Sequence, residues 1–212
     1  MAISGNDSKN NTSPGNKILI ITSMGNINIM LYDETPAHKA NFLKLAEDNF
    51  YDNILFHRVI PNFMIQAGDP HSRSANPGER LGSGNPGYTV PAEFSPSLFH
   101  KKGSVAAARL PDNVNPGKES SGSQFYIVQG EKYSADQLDS LVNKGYHRPF
   151  TDEEIRVYTT IGGTPFLDNS YTVFGEVVEG FEVVERIATV ATDSNNRPVT
   201  DVKIIKVSQE NI

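Results

Sequence analysis

The sequence contains no cysteine. That excludes disulfides, a thiolate nucleophile and zinc sites built on sulfur, and it leaves the compartment open. No apolar run approaches the ~18 residues that a membrane span needs. Positive charge is in short supply: 19 Lys and Arg stand against 25 Asp and Glu, a net charge of −6. An acidic chain is poorly suited to neutralising a phosphate backbone, so no nucleic-acid partner is expected. There is no GxxxxGKS/T loop and no GxGxxG opening a helix. Gly82-Ser83-Gly84-Asn85-Pro86-Gly87 is glycine-rich but has no helical pattern after it, and it reads as an irregular loop. The five histidines, His38, His57, His71, His100 and His147, show neither HxH nor HExxH spacing, so no metal or other cofactor is expected. Ser121 and Ser123 lie in SSGSQF rather than a GxSxG elbow, which argues against a serine nucleophile.

What is present suits one globular domain. The chain has 212 residues, 37% of them hydrophobic and 21% charged. A chain of this size buries roughly 70% of its unfolded surface, enough for a core without metal or disulfide. Residues 1–16 are rich in Asn, Ser and Gly, and are expected to be a flexible tail or the tether left after removal of an export signal. The ordered domain is expected over 17–212. Lys17–Thr22 and the alternating Asn26–Tyr32 flank a turn signal and predict a β-hairpin. Thr35-Pro36 opens a helix that runs to about Asp48, with Thr35 as N-cap. Strands are predicted over Ile54–Ile60, Phe63–Ala67, Ser104–Arg109, Gln124–Gln129, Tyr171–Val178 and Val202–Val207, with long loops between 68 and 103. Phe181, Val184, Ile187 and Ala188 mark a helix over Gly180–Ala188. Between about 131 and 163 two capping-box patterns, beginning at Ser134 and Thr151, predict an inserted helical hairpin. About eight short strands with two framework helices favour an antiparallel barrel or a sandwich, and periodicity does not choose between them.

The most informative segment is Phe56–Pro70, FHRVIPNFMIQAGDP. As a strand, its first part places Phe56, Arg58 and Ile60 on one face and Leu55, His57 and Val59 on the other. The turn at Pro61 re-aims the chain, so that Arg58, Phe63, Met64 and Gln66 are able to converge. That would set a cation and an amide beside two large apolar side chains. Ordinary core packing of Phe63 and Met64, with a surface ion pair for Arg58, accounts for the segment taken alone.

The segment is not alone. FHRVIPNFMIQAGDP, GSVAAARL, SGSQFYI and FLDNSYTVFGEVVEGFEVVERI occur in an order and spacing that closely resemble the cyclophilin family of peptidyl-prolyl cis-trans isomerases, from about Lys17 to Val207. The resemblance implies a mainly β fold, a closed eight-stranded antiparallel β-barrel capped by two helices. It implies that Arg58 is the catalytic arginine, that Gln66 supports it and holds the substrate backbone, and that His57 lies beside them. Phe63, Met64, Tyr126 and Leu167 then wall the proline pocket. Ala108, Arg109 and Gln124 belong to the neighbouring peptide groove, and Phe166 and Tyr171 to the rim. The implied partners are proline-containing polypeptides, and a monomer is expected. Tyr126 stands where Phe is usual in the family, Phe166 where Trp is usual, and Tyr171 where His is usual, a pattern like that of bacterial members. Phe166 lacks the indole that binds cyclosporin, so cyclosporin binding is expected to be weak. The implied reaction is rotation about X–Pro bonds in folding chains. The rim changes at Tyr126 and Tyr171 leave a non-catalytic binding module as the alternative.

Overall fold

The computed structural model describes residues 16–210. The expected tail therefore lies outside the described residues, apart from Asn16. That residue accepts a bond from the Leu31 N–H and donates one from its amide to Asp33 at 2.9 Å. Strands β1 (Lys17–Thr22) and β2 (Gly25–Leu31) form the predicted hairpin. Its register sets Ile18 opposite Ile29 and Ile20 opposite Ile27, and all four are buried in the main core. The alternation read in the sequence is thus the alternation of the sheet.

The remaining strands are β3 (Arg58–Ile60), β4 (Met64–Ala67), β5 (Thr89–Val90), β6 (Ser104–Ala107), β7 (Ser120–Ser121), β8 (Phe125–Val128), β9 (Val173–Glu179) and β10 (Ile204–Gln209). Eight of them form one curled antiparallel sheet in the order β10-β1-β2-β9-β6-β8-β4-β3, and β5 and β7 form a separate small ribbon. Helices α1 (Pro36–Glu47), α2 (Ala135–Asn143), α3 (Asp152–Thr160) and α4 (Phe181–Ala188) complete the architecture. Phe42 and Leu45 of α1, and Val183, Val184 and Ile187 of α4, are buried in the same core as the inward residues of the sheet. None of these helices is long and apolar enough to cross a membrane.

Two expectations change. The ladder is that of a curled sheet rather than a closed barrel, because β3 and β10 do not pair as strands. The strand expected over Ile54–Ile60 shrinks to Arg58–Ile60, for a related reason. The backbone of 53–56 is bonded to 202–204 instead: Asn53 N–H to Ile204 O at 2.8 Å, Ile204 N–H to Ile54 O at 2.8 Å and Phe56 N–H to Val202 O at 2.9 Å. This bend breaks the alternation. Phe56 joins Val59 in the main core instead of sharing the face of Arg58.

The start of α1 shows a division of labour. Thr35 occupies the N-cap position, but its hydroxyl bonds no N–H of the first turn. Glu93, from the long loop, accepts instead: the Ala37 N–H at 3.0 Å, the His38 N–H at 2.9 Å and His38 Nδ1 at 2.6 Å. A carboxylate there satisfies orphan donors and complements the helix dipole. Replacing Glu93 by Ala is expected to destabilise the fold by about 1–3 kcal/mol, read as a lower urea midpoint. An unchanged midpoint would contradict the capping role.

Candidate functional site

Strand register assembles the site. Arg58 on β3 sits opposite Gln66 on β4, Gln66 opposite Tyr126 on β8, and Tyr126 opposite Ala106 on β6. Residues in such a row project to the same side of the sheet. The next row holds Ile60, Met64 and Val128. Val59, Ile65 and Ile127 point the other way, into the main core. Between β3 and β4 the chain reverses through Pro61-Asn62. The Phe63 N–H closes the turn on Ile60 O at 3.2 Å, and Asn62 has φ 61°. Proline followed by a residue of positive φ is the type II pattern. This turn is what brings Phe63 back beside Arg58, whose guanidinium carbon lies 5.8 Å from the Phe63 ring centroid.

The guanidinium is held by a chain of amides. Arg58 Nη1 donates to Gln66 Oε1 at 3.2 Å, and Gln66 Nε2 donates to Gln124 Oε1 at 2.9 Å. Gln124 Nε2 donates in turn to the carbonyls of Gly82 at 3.0 Å and Gly84 at 2.7 Å. Those carbonyls only accept, so they fix the orientation of both amides. Backbone packing allows this approach: Gly68 has φ +97°, and a Cβ there would lie 2.1 Å from Ser123 O. Among the described residues no carboxylate lies within ion-pair distance of Arg58. Burial lowers its pKa from the ordinary value, yet a guanidinium remains protonated at neutral pH.

A cavity of about 320 Å³ opens beside this cation. Met64, Tyr126 and, partly buried, Phe63, Leu167 and Tyr171 belong to one apolar cluster on its wall. His57, Arg58, Gln66, Ala108 and Arg109 also line it. Gln124 faces an adjoining groove that shares Gln66, Gly82, Ala108 and Arg109 with the cavity. Phe166 stands outside the lining, 45% exposed, with its ring 5.6 Å from that of Phe63. Arg109 adds little free charge, because it is bonded to Ser170 O and Leu110 O and paired with Asp112 at 2.6 Å. Its guanidinium covers the Tyr171 ring at 4.6 Å.

The sequence reading missed two parts of the wall. The loop Glu79–Gly82 closes one side, held by Arg197, which donates to Asn76 O and Glu79 O. Beneath Tyr126 lies a buried polar cluster of His100, His147, Tyr158 and Asp168. These residues are far apart in sequence and share no spacing, so only the adjacency of Asp168 to Leu167 offered a signal. A third constellation has the order of an acyl-transfer triad: Ser120 Oγ lies 2.8 Å from His38 Nε2, and His38 Nδ1 lies 2.6 Å from Glu93. Ser120 is 1% and His38 3% exposed, so a substrate carbonyl has no approach, and the group serves the α1 cap.

His57 sits against the cavity with 4% exposure and no hydrogen-bond partner for either ring nitrogen among the described residues. Burial pushes its pKa down to about 4, and neighbouring Arg58 lowers it further while Asp69 opposes. The ring is therefore neutral at neutral pH and adds no repulsion to Arg58. With the folded pKa below the unfolded value of 6.5, His57 contributes stability above pH 6.5, and that stability is lost as pH falls towards 4. The loss is on the order of 3 kcal/mol. An NMR titration of the ring carbons is expected to find the midpoint near 4, and a midpoint above 6 would contradict this.

Comparisons with known proteins bear on the site as a whole. Residues 17–209 match the family described as cyclophilin type peptidyl-prolyl cis-trans isomerase/CLD. A Streptococcus pyogenes protein named as a bifunctional phosphatase/peptidyl-prolyl cis-trans isomerase is 37% identical over 203 residues, covering 93% of this chain and 39% of that protein. The chain thus spans about two-fifths of that relative's length. A Staphylococcus haemolyticus protein named as a peptidyl-prolyl cis-trans isomerase is 34% identical, covering 92% of this chain and 91% of that one. In shape, the chain is similar to a Cryptosporidium parvum cyclophilin type peptidyl-prolyl cis-trans isomerase. The TM-score is 0.66 at 22% identity, over 92% of this chain and 98% of that one.

Proposed function

This chain belongs to the cyclophilin-type peptidyl-prolyl cis-trans isomerase family, and we propose that it turns X–Pro bonds with Arg58 as the catalytic residue. The observation that carries the reading is a cation held by an amide, without a carboxylate, at the edge of an apolar cavity. Further support comes from a solved cyclophilin of this shape studied in the presence of the dipeptide Ala-Pro.

The chemistry asks for little more. Rotation about the peptide bond meets a barrier of ~18–20 kcal/mol, because the amide nitrogen shares its lone pair with the carbonyl. Uncatalysed X–Pro exchange takes tens to hundreds of seconds. A turnover of ~10³ s⁻¹ requires a barrier about 6–7 kcal/mol lower. No covalent bond breaks, so no nucleophile is needed. At the twisted midpoint the nitrogen becomes pyramidal and recovers its lone pair. A guanidinium N–H aimed at that nitrogen binds the twisted state better than either planar isomer, which is the condition for catalysis. A charge-assisted hydrogen bond contributes roughly 1.5–3 kcal/mol, so the arginine does not suffice alone. In this reading Phe63, Met64, Tyr126 and Leu167 clasp the proline ring. Excluding water there strengthens the bond from Arg58. Gln66 steadies the guanidinium and meets the substrate backbone, while Ala108, Arg109 and Gln124 receive the residues that precede proline.

Two finer points belong to the same reading. The backbone bonds of 53–56 to 202–204, and the bridge between Leu55 and Lys203, support a barrel closed along an irregular seam. Phe166 presents no N–H donor, which supports weak cyclosporin binding.

Replacing Arg58 by Ala is expected to lower kcat/KM on a short X–Pro peptide by roughly 10- to 150-fold, measured by NMR exchange with the fold checked by circular dichroism. Wild-type turnover from a folded Arg58→Ala chain would contradict the mechanism. Replacing Phe166 by Trp is expected to tighten cyclosporin binding by about tenfold or more, measured by calorimetry. No gain would contradict the role given to that position.

A further inference from the structure

The inserted helical hairpin is joined to the proline slot by side chains that have no part in the isomerase mechanism described above. The expected hairpin over 131–163 is present, with both capping boxes formed. Its stem is stitched beside the loop that carries His100. The Lys102 N–H donates to Gly162 O at 2.9 Å, and the Thr164 N–H donates to His100 O at 2.8 Å. The approach is close, since a Cβ on Gly163 would lie 2.1 Å from His100 O.

From this stem the hairpin sends two side chains to one carboxylate. The Tyr158 hydroxyl donates to Asp168 Oδ2 at 2.7 Å, and His147 Nε2 lies 3.2 Å from the same oxygen. Asp168 Oδ1 accepts the His100 N–H at 2.8 Å and faces His100 Nδ1 at 2.8 Å. His100 Nε2 then lies 2.9 Å from the Tyr126 hydroxyl. All five side chains are buried.

Partner chemistry fixes the protons. His147 Nδ1 lies 2.6 Å from the carbonyl of Arg148, which only accepts, and its Nε2 faces a carboxylate, which also only accepts. Both nitrogens therefore carry hydrogen, and His147 is an imidazolium paired with Asp168. The direction of its pKa agrees: burial lowers it, but the bonds to Asp168 and Arg148 prevail and the value is raised. Asp168 is held down to about 2, because bonds from His100 and His147 outweigh the upward push of burial. His100 Nδ1 faces Asp168 Oδ1, and the contact of His100 Nε2 with the Tyr126 hydroxyl completes the chain.

The chain ends on a wall of the slot, Tyr126. We infer that the 131–163 hairpin is a positioning element, which sets the Tyr126 wall of the proline slot through Tyr158, His147, Asp168 and His100. This inference rests on the proposed function for the meaning of the slot. The hydroxyl of Tyr126 gives the wall a handle that a phenylalanine would lack, and the hairpin is what the handle connects to. Tyr158 is the pin of the insert, with Phe99, Phe150 and Tyr133 packed round its ring at centroid distances of 5.5, 5.9 and 6.4 Å.

A double-mutant cycle on the full chain tests this. Tyr158→Phe keeps the ring and its aromatic neighbours but removes the donor to Asp168. In the parent it is expected to lower kcat/KM on an X–Pro tetrapeptide by about three- to tenfold. In a Tyr126→Phe background, where the link to His100 is already cut, it is expected to cost less than about 1.5-fold. In parallel, Tyr158→Phe is expected to shift the Cζ resonance of ¹³C-labelled Tyr126, a signal read without turnover. The Cζ shift is interpretable even if Arg58→Ala proves active, so failure of the proposed function and failure of the relay are distinguishable. Equal activity losses in both backgrounds would mean that Tyr158 acts only through the stability of the insert, and would overturn the inference. An unmoved Tyr126 Cζ, or an unchanged parent kcat/KM, would overturn it as well.

Discussion

A half-buried guanidinium without a carboxylate is the constraint round which this structure is arranged. A charge withdrawn from water is costly unless hydrogen-bonded or paired. Pairing Arg58 with a carboxylate would be the cheaper solution, and it would also spend the charge. The chain uses an amide instead: Gln66 accepts one N–H, and Gln124 fixes Gln66 through the carbonyls of Gly82 and Gly84. Nη1 also meets Met64 Sδ at 4.0 Å, a weak acceptor, and among the described residues no carboxylate takes the charge. By contrast Arg109, Arg148 and Arg197 are each matched to an acid, Asp112, Glu154 and Asp201.

The sheet makes that arrangement rigid. Arg58, Gln66, Tyr126 and Ala106 form one row across four strands, so their spacing is set by backbone hydrogen bonds rather than by side-chain preference. The opposite side of the same strands is anchored in the main core through Val59, Ile65, Ile127 and Val105. A site built on strands in this way is held more closely than one on loops. The loop that closes it, Glu79–Gly82, is itself fastened at both ends, by Arg197 to Asn76 and Glu79 and by Asp69 to the Gly82 N–H.

Much of this was legible in the residues. Alternation found the β1–β2 hairpin, and Ser134 and Thr151 with their acids or amides three residues on found both helices of the insert. The Pro61-Asn62 turn, and the convergence of Arg58, Phe63, Met64 and Gln66, followed from local pattern. What failed did so for long-range reasons. Ile54–Phe56 has strand composition, but its backbone is bonded to 202–204, so the period breaks between Phe56 and Arg58. Thr35 is a good N-cap residue, yet Glu93 caps the helix from 58 residues away. The relay from Tyr158 to Tyr126 leaves no mark in the sequence, because its members meet only after the insert folds back on the loop before β6.

The central claim is that Arg58 meets the prolyl nitrogen while the ring lies in the slot. A crystal structure with a bound Ala-Pro-containing peptide tests this most directly. The ring is expected to pack against Phe63, Met64 and Leu167, with an Arg58 guanidinium nitrogen within about 3.5 Å of the prolyl nitrogen. A ring seated elsewhere, or a guanidinium turned away to pair with a carboxylate, would contradict it.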